Sequence, residues 1–391
     1  MSFGDNGAMT SASFSSAAAE PFEGLRIRGV AKTFGTDTTV LNEIDLDVHP
    51  GEMISLVGSS GTGKSTLLRI VAGLEEPSAG RVTYAGQPLE RGSVGVVFQR
   101  PILYPHLSVK DNILFPTRLG AFAGRVDMDY YRELLEALKL EGLESRKPTQ
   151  LSGGQAQRVG IARALIRRAP VVLFDEPLAS VDEEMSASIR ADIVRLHERY
   201  GFTGLYVTHD QNEALMLGQR VAVMDAGYLV QVDTPERLLA HPHTLQVAKL
   251  LAAPALNLLA LEDSEFLPAG CELAIRATAL HPVAADVAHA LPVQVLGSRH
   301  LVGGMLYRAR LLEAVSLPLE SQRASAGTEL SARMYARMSA RVRAGQELEF
   351  FIPDAQAATL SGASLSVGDR VSLGVAAERC FLFSGGKRFY L

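Results

Sequence analysis
Apolar residues follow several rhythms along this chain. In residues 22–52 they alternate with polar ones, as in Leu-Arg-Ile-Arg-Gly-Val at 25–30 and Ile-Asp-Leu-Asp-Val at 44–48. That is the pattern of strands in a half-exposed sheet, and Pro50-Gly51 closes it. Residues 53–57 (Met-Ile-Ser-Leu-Val) read instead as a buried strand, and a helical run begins at Ser65, continues to Ala72 and stops at Gly73. Apolar runs at 94–98, 171–174 and 205–208 predict further strands. From about 100 to 168 the spacing becomes helical. Tyr131, Leu134, Leu135 and Leu138 follow a capping Asp127, and residues 153–168 carry Val159, Ile161, Ala162, Leu165 and Ile166 broadly on one side. Residues 183–200 predict a long amphipathic helix with Met185, Ile189, Ile193 and Leu196 inward, acidic residues first and Arg195 and Arg199 last, as the helix dipole favours.

After about residue 245 the strands become short and Gly and Ser turns recur. Candidate strands at 273–276, 293–296, 305–310, 347–352 and 371–375 are spaced as in a small barrel, and residues 320–343, rich in Ala, Ser and Arg, have no clear place in it. The expected order is a disordered tail at 1–22, an α/β domain at 23–245 with a helical subdomain at about 100–168, and an all-β domain at 246–391.

Composition narrows the function. A chain of 391 residues is too long for one ordinary compact core, which agrees with two domains. The formal net charge of −5 gives no global attraction to nucleic acid or anionic lipid, so nucleic acid is not the expected partner. Residues 250–261, the most apolar stretch, are interrupted by Pro254 and Asn257 and fall short of the roughly 20 residues of a membrane-spanning helix. The first twenty-odd residues lack the basic start and apolar core of a signal peptide. Cys271 and Cys380 have no His or Cys at metal-ligand spacing, which fits ordinary packing in a reducing compartment.

The chemistry sits in two motifs. Gly58, Ser59, Ser60, Gly61, Thr62, Gly63, Lys64, Ser65 and Thr66 lie between a predicted strand and a predicted helix. In that context a Gly-rich loop turns successive backbone N–H groups toward phosphate oxygens, Lys64 would neutralise the β- and γ-phosphates, and Ser65 would ligate Mg²⁺. The second motif, Leu-Ser-Gly-Gly-Gln at 151–155, opens the helix of residues 153–168, where Ser152 and the Gly153 and Gly154 amides form a second anion site. Asp175-Glu176 ends one apolar strand and His209 follows another, at the strand ends where open α/β sheets carry their chemistry.

Taken in order, the P-loop, Gln99, the 151–155 motif, Asp175-Glu176 and His209 resemble the nucleotide-binding subunit of ATP-binding cassette transporters over roughly residues 23–245. The match looks closest to the importer ATPases for sugars, polyamines, ferric iron and similar solutes, through Tyr-Pro-His-Leu-Ser-Val at 104–109, Leu-Ser-Gly-Gly-Gln-Ala-Gln-Arg-Val at 151–159, Asp-Glu-Pro-Leu at 175–178 and Val-Thr-His-Asp-Gln-Asn-Glu-Ala at 207–214. The resemblance implies a P-loop NTPase core followed by an OB-like regulatory domain, with ATP and Mg²⁺ as ligands. Asp175 would hold Mg²⁺ through water, Glu176 would act as general base, and His209 would bond the γ-phosphate and the attacking water. Gln99 would sense Mg²⁺ and water, and Phe34 in Lys-Thr-Phe-Gly would stack on adenine. Ser152, Gly153, Gly154 and Gln155 would face the nucleotide of another cassette, with Asp182 at the same contact.

With one P-loop and one signature, the chain holds two complementary half-sites, so the expected partners are a second ATPase subunit in a homodimer, separate membrane permease subunits and, indirectly, a solute-binding protein. The expected place is the cytoplasmic face of the inner membrane. Some positions depart from the family pattern. Ala179-Ser180-Val181-Asp182 replaces Ser-Ala-Leu-Asp or Ser-Asn-Leu-Asp, Ser59 stands at a usual Pro, and Arg-Pro-Ile-Leu after Gln99 weakens a sugar assignment, leaving ferric iron, polyamine, sugar and oxyanion all open. In the extension, Ala-Ile-Arg-Ala-Thr at 274–278 keeps only Ile275 and Arg276 of a Gly-Ile-Arg-Pro-Glu motif. An exporter ATPase would commonly lack the β-rich extension. A cassette protein of DNA repair or translation would carry coiled-coil insertions or two cassettes, and a P-loop kinase would lack the 151–155 motif.

Overall fold
The computed structural model describes residues 22–35, 37–118, 126–262, 267, 270–318, 339–357, 365–375 and 379–389. Residues 1–21 of the expected disordered tail at 1–22, and 320–338 of the segment 320–343, lie outside the described residues. Six strands form the central sheet in the spatial order Tyr228–Asp233, Arg220–Asp225, Met53–Val57, Thr203–Thr208, Val171–Asp175, Gly95–Val97. The first of these is antiparallel to its neighbour and the rest are parallel. A parallel strand is covered on both faces. Accordingly every residue of Met53–Val57 and Thr203–Thr208 is buried.

A second, antiparallel sheet holds Leu25–Phe34, Thr38–Val48, Ala79–Tyr84 and Gln87–Pro88. Its inward residues Leu25, Ile27, Val30 and Leu46 share a core with Ile54 and Leu56 of the central sheet and with Leu67 and Leu68 of the helix Lys64–Val71. Another core joins the central sheet to helices Val109–Leu114, Met128–Ala137, Gly153–Leu165 and Glu183–Tyr200. Asp127 caps Met128–Ala137 as expected, accepting from the amides of Asp129 and Tyr130. The helix read as running to Arg168 ends at Leu165, and Arg168 takes a left-handed backbone (φ 49°) before Pro170.

The extension is built from strands, with the short helix Asp354–Ala357 among them. One sheet orders Leu256–Ala260, Glu272–Arg276, Cys380–Ser384 and Lys387–Phe389, and another orders His281–Val283, Arg370–Gly374, Leu291–Leu301, Gly304–Leu311 and Glu347–Pro353. A hairpin pairs Val315–Pro318 with Ser339–Val342, so the end of the segment that had no place in the sequence pattern is a strand. The inner residues of these elements share one core, including Leu273, Val293, Tyr307, Phe350 and Leu373. Cys271 is buried in this core and Cys380 half-buried at its edge, as ordinary packing residues.

Between the two regions lies the helix Leu245–Leu250. Its Val247, with Leu251 just past its end, packs with Val57, Ala214 and Val223, whereas its Ala248 packs with Ala274, Phe381 and Phe383. No helix among the described residues is long and apolar enough to cross a membrane.

Candidate functional site
Strand register gathers the site. Val57 lies opposite Thr208, and Asp175 opposite Val207, so the segments after three adjacent parallel strands leave the sheet at one edge. Residues 58–63 follow the first strand, Glu176 the second and His209 the third.

The loop at 58–63 is shaped by its glycines. Gly61 and Gly63 have φ of 81° and 99°, in the left-handed region that other L-residues rarely adopt. A Cβ on Gly63 would also lie 2.7 Å from Leu41 Cδ2, and one on Gly58 would lie 2.4 Å from the Met224 carbonyl oxygen. Gly63 N-caps the helix Lys64–Val71 without any side-chain hydrogen bond, which leaves first-turn amides for another acceptor. Thr62 Oγ1 donates to the Ser59 carbonyl at 3.0 Å, tying the loop across itself. Ser59, Ser60 and Gly61 are exposed, while Ser65 and Thr66 are half-buried in the first helical turn.

Lys64 is buried, and its Nζ donates to the carbonyls of Gly58 and Ser59 at 2.8 and 2.9 Å. Burial lowers its pKa below the usual lysine value, against the opposing pull of the Glu176 and Asp175 charges. Ser65 Oγ donates to Asp175 Oδ1 at 3.1 Å. Asp175 is shifted upward by burial and by the neighbouring Glu176 charge, opposed by the Ser65 hydrogen bond and by Arg69 and Lys64. A half-buried carboxylate and hydroxyl held together beside a phosphate loop fit Mg²⁺, which binds through few protein oxygens plus substrate phosphates. Among the described residues no cluster of three or more His, Cys, Asp and Glu offers an all-protein metal cage.

Glu176 takes a left-handed backbone (φ 44°), a conformation that costs a non-glycine residue on the order of 1 kcal/mol. Its amide donates to the Val207 carbonyl at 2.9 Å, which holds the turn, and its Oε2 sits 3.0 Å from His209 Nδ1. His209 is followed by Asp210, which caps the helix Gln211–Leu217 and whose amide donates to Thr208 Oγ1 at 3.0 Å.

Direct contacts therefore join Ser65 to Asp175 and Glu176 to His209. Other sequence-predicted residues stand apart. Ser152 and Gln155 form a capping box on the helix Gly153–Leu165: Ser152 Oγ accepts from the Gln155 amide at 3.2 Å, and Gln155 Oε1 accepts from the Ser152 amide at 3.0 Å. Ser152 and Gly153 are exposed, and no atom of the described residues lies within 4 Å of a Cβ built on Gly153, whereas one on Gly154 would lie 2.6 Å from Met185 Cγ. Asp182 caps the helix Glu183–Tyr200 by accepting from the Met185 amide at 2.9 Å. Gln99 is exposed, its carbonyl accepting from Ser180 Oγ at 3.1 Å. Phe34 is 43% exposed, so it is not a core residue, and Lys32 Nζ lies 4.9 Å from its ring centroid.

Sequence reading missed the polar groups that position these elements. Gln157 is fully buried and donates to the Phe98 carbonyl at 3.2 Å, linking the signature helix to the Gln99 segment. Asp192 is also fully buried. It receives Arg158 Nε at 3.1 Å and Nη2 at 2.9 Å, together with Arg195, and so ties the signature helix to Glu183–Tyr200. An Asp or Gln inside the buried stripe of an amphipathic helix is the available signal, since an unpaired one there would be costly. Asp192→Ala should destabilise the fold by about 3–5 kcal/mol, because Arg158 is left buried without its partner. Chemical denaturation measures this, and a loss within experimental error of zero would show that the pair is not structural.

The family described as ABC transporter matches residues 41–179. An sn-glycerol-3-phosphate import ATP-binding protein, UgpC 1 of Rhizobium johnstonii, is 45% identical over 241 residues, covering 60% of this chain and 65% of that protein. UgpC of Yersinia enterocolitica is 45% identical over 243 residues, covering 60% of this chain and 67% of that protein. The chain thus spans about two thirds of the length of these relatives. Among solved structures, CbiO1 of Clostridium perfringens, part of the ABC transporter complex CbiONQ, superposes with a TM-score of 0.51 at 27% identity, covering 57% of this chain and 92% of that one.

Proposed function
This chain belongs to the ABC transporter family and carries its ATPase cassette, and on that premise we propose that it hydrolyses ATP as the energy-coupling subunit of an importer. The observation that carries the reading is the gathering of Lys64, Ser65, Asp175, Glu176 and His209 at one edge of the parallel sheet. We assign the phosphates of ATP to the amides of residues 58–66 and to Lys64, whose charge offsets theirs. Ser65 and Asp175 would hold Mg²⁺, which supplies charge neutralisation on the β- and γ-oxygens when bound.

Hydrolysis then needs one proton acceptor. As the oxygen of water bonds to the γ-phosphorus and the bond from that phosphorus to the bridging β–γ oxygen breaks, Glu176 accepts the water proton. His209, 3.0 Å from Glu176, orients that carboxylate and faces the γ-phosphate. Phe34 is assigned to adenine, which suits a ring left exposed at the end of its strand.

Ser152, Gly153, Gly154, Gln155 and Asp182 are assigned to the nucleotide of a second copy of this chain. An exposed capping box at a helix N-terminus, separate from the chain's own phosphate loop, supports that assignment. In the proposed division, residues 23–245 form the cassette and 246–391 a regulatory domain. The helical subdomain and Gln99 face separate permease subunits at the cytoplasmic side of the membrane. The relatives' names make sn-glycerol 3-phosphate the first solute to test. Disrupting the protein in its host should abolish uptake of one solute, and the protein should copurify with integral membrane subunits. Normal uptake of every solute tested, together with copurification of RNA or DNA, would overturn the transport role.

A further inference from the structure
A cavity of about 830 Å³ lies between the cassette and the β-rich extension, away from the phosphate loop. The extension contributes Arg276, Arg379 and Phe381 to its wall, and the cassette contributes Gln211, Asn212 and Leu239. Volumes of this order suit a small organic molecule.

The polar groups on this wall are unbalanced. Arg276 donates through Nη1 to the Leu239 carbonyl at 2.7 Å, yet its Nε and Nη2 are buried and meet no hydrogen-bond partner among the described residues. Its guanidinium lies 5.1 Å from the Phe381 ring centroid, with Arg388 4.5 Å from the same ring. Burial pushes the Arg276 pKa down to about 10, and among the described residues the charges of Arg388 and Arg379, both of its own sign, add to that shift. A buried guanidinium with like-charged neighbours and unused donors is unfavourable unless an anion completes it. Gln211 Oε1, also lining the cavity, is buried without a partner among the described residues, and the exposed Glu236 stands at the same cavity. Those acceptors call for hydroxyl or ammonium donors on the far end of the same ligand.

We propose that this cavity is an effector site for a small organic oxyanion, with its phosphate or carboxylate on Arg276 and Arg379 and its body against Phe381 and Leu239. Its connection to catalysis is short. Gln211 and Asn212 begin the helix that starts two residues after His209, so a ligand touching them acts on the segment that positions this histidine. The proposal goes beyond ATP hydrolysis and does not depend on it for binding.

Titration calorimetry on the full chain tests it, with phenyl phosphate, benzoate and inorganic phosphate as probes. One of the two organic probes should bind, more tightly than inorganic phosphate, and more weakly as salt rises. Arg379→Gln and Arg276→Met should each weaken binding about tenfold or more, as expected for loss of a charge-assisted hydrogen bond. Arg379 is exposed, so its variant should fold even where Arg276→Met does not. Lys64→Ala should bind the probe as the parent protein does, which separates this cavity from the phosphate loop and keeps the result independent of the nucleotide reading. The bound probe should also change the ATPase rate of the parent protein and leave that of Arg379→Gln unchanged. Failure of both organic probes to bind, or unchanged affinity in both arginine variants, would overturn the site. Binding with no change in hydrolysis would overturn its effector role.

Discussion

Glu176→Gln is expected to lower ATP turnover by about 10²–10⁴-fold, the contribution of a positioned general base, while nucleotide still binds. The substitution keeps side-chain length and volume and removes only the ability to accept a proton. The turn itself is held by the Glu176 amide bonded to the Val207 carbonyl, which Gln retains, and the amide oxygen of Gln can still accept from His209 Nδ1. Misfolding is thus a poor alternative explanation of a slow variant. Under the proposed mechanism the ATP-bound form persists, so size-exclusion chromatography with ATP should show a dimer of the variant that disappears when ATP is removed. Phosphate release within about threefold of the parent rate would remove Glu176 from the general-base role.

Lys64→Ala should weaken ATP binding by about 1.5–3 kcal/mol, on the order of ten- to hundredfold or more in Kd, the range for a hydrogen bond made by a charged group. Its effect on stability should be small by comparison. Burial lowers the folded-state pKa of Lys64 below its unfolded value, so folding disfavours the charged ammonium, and this cost is fully present below the lowered pKa and fades as pH rises through it. At neutral pH the loss of two hydrogen bonds to the Gly58 and Ser59 carbonyls is offset by removal of a desolvated charge. The melting temperature without nucleotide should therefore change by only a few degrees, about the shift expected from 1 kcal/mol or less. Unchanged ATP affinity, measured by equilibrium binding, would contradict the phosphate-loop assignment. A collapse in stability would show instead that Lys64 is chiefly a structural staple of the loop.

Much of the cassette was legible in the chain because its signals are local. Continuous apolar runs at 53–57, 171–174 and 205–208 marked the strands that span 53–57, 171–175 and 203–208, and the helix read at 183–200 has those bounds. A loop that binds phosphate through its backbone leaves a trace in glycine spacing, and a strand end leaves one in Asp175-Glu176. What the sequence could not show was contact between distant segments. The juxtaposition of Glu176 with His209 depends on the order of strands in the sheet, and no local pattern encodes that order. In the extension the strands at 256–260, 315–318 and 380–384 escaped notice, since four or five residues give alternation little room to appear. Arg276 was visible only as a remnant of a motif. Its unbalanced charge emerges when Arg379, about a hundred positions on, is brought beside it.

The capping box at Ser152 and Gln155 bears on the entropy of assembly. These side chains already satisfy the helix terminus within one chain, so the surface assigned to the second copy is formed before any encounter. Association of two such copies then has little backbone left to order, and more of the free energy of nucleotide contact remains available to hold them together. Ser152 Oγ serves the cap as an acceptor, which leaves its hydroxyl hydrogen to donate across the interface without dismantling the helix start. Repeated joining and parting can therefore proceed between two finished surfaces, with no folding step in the cycle.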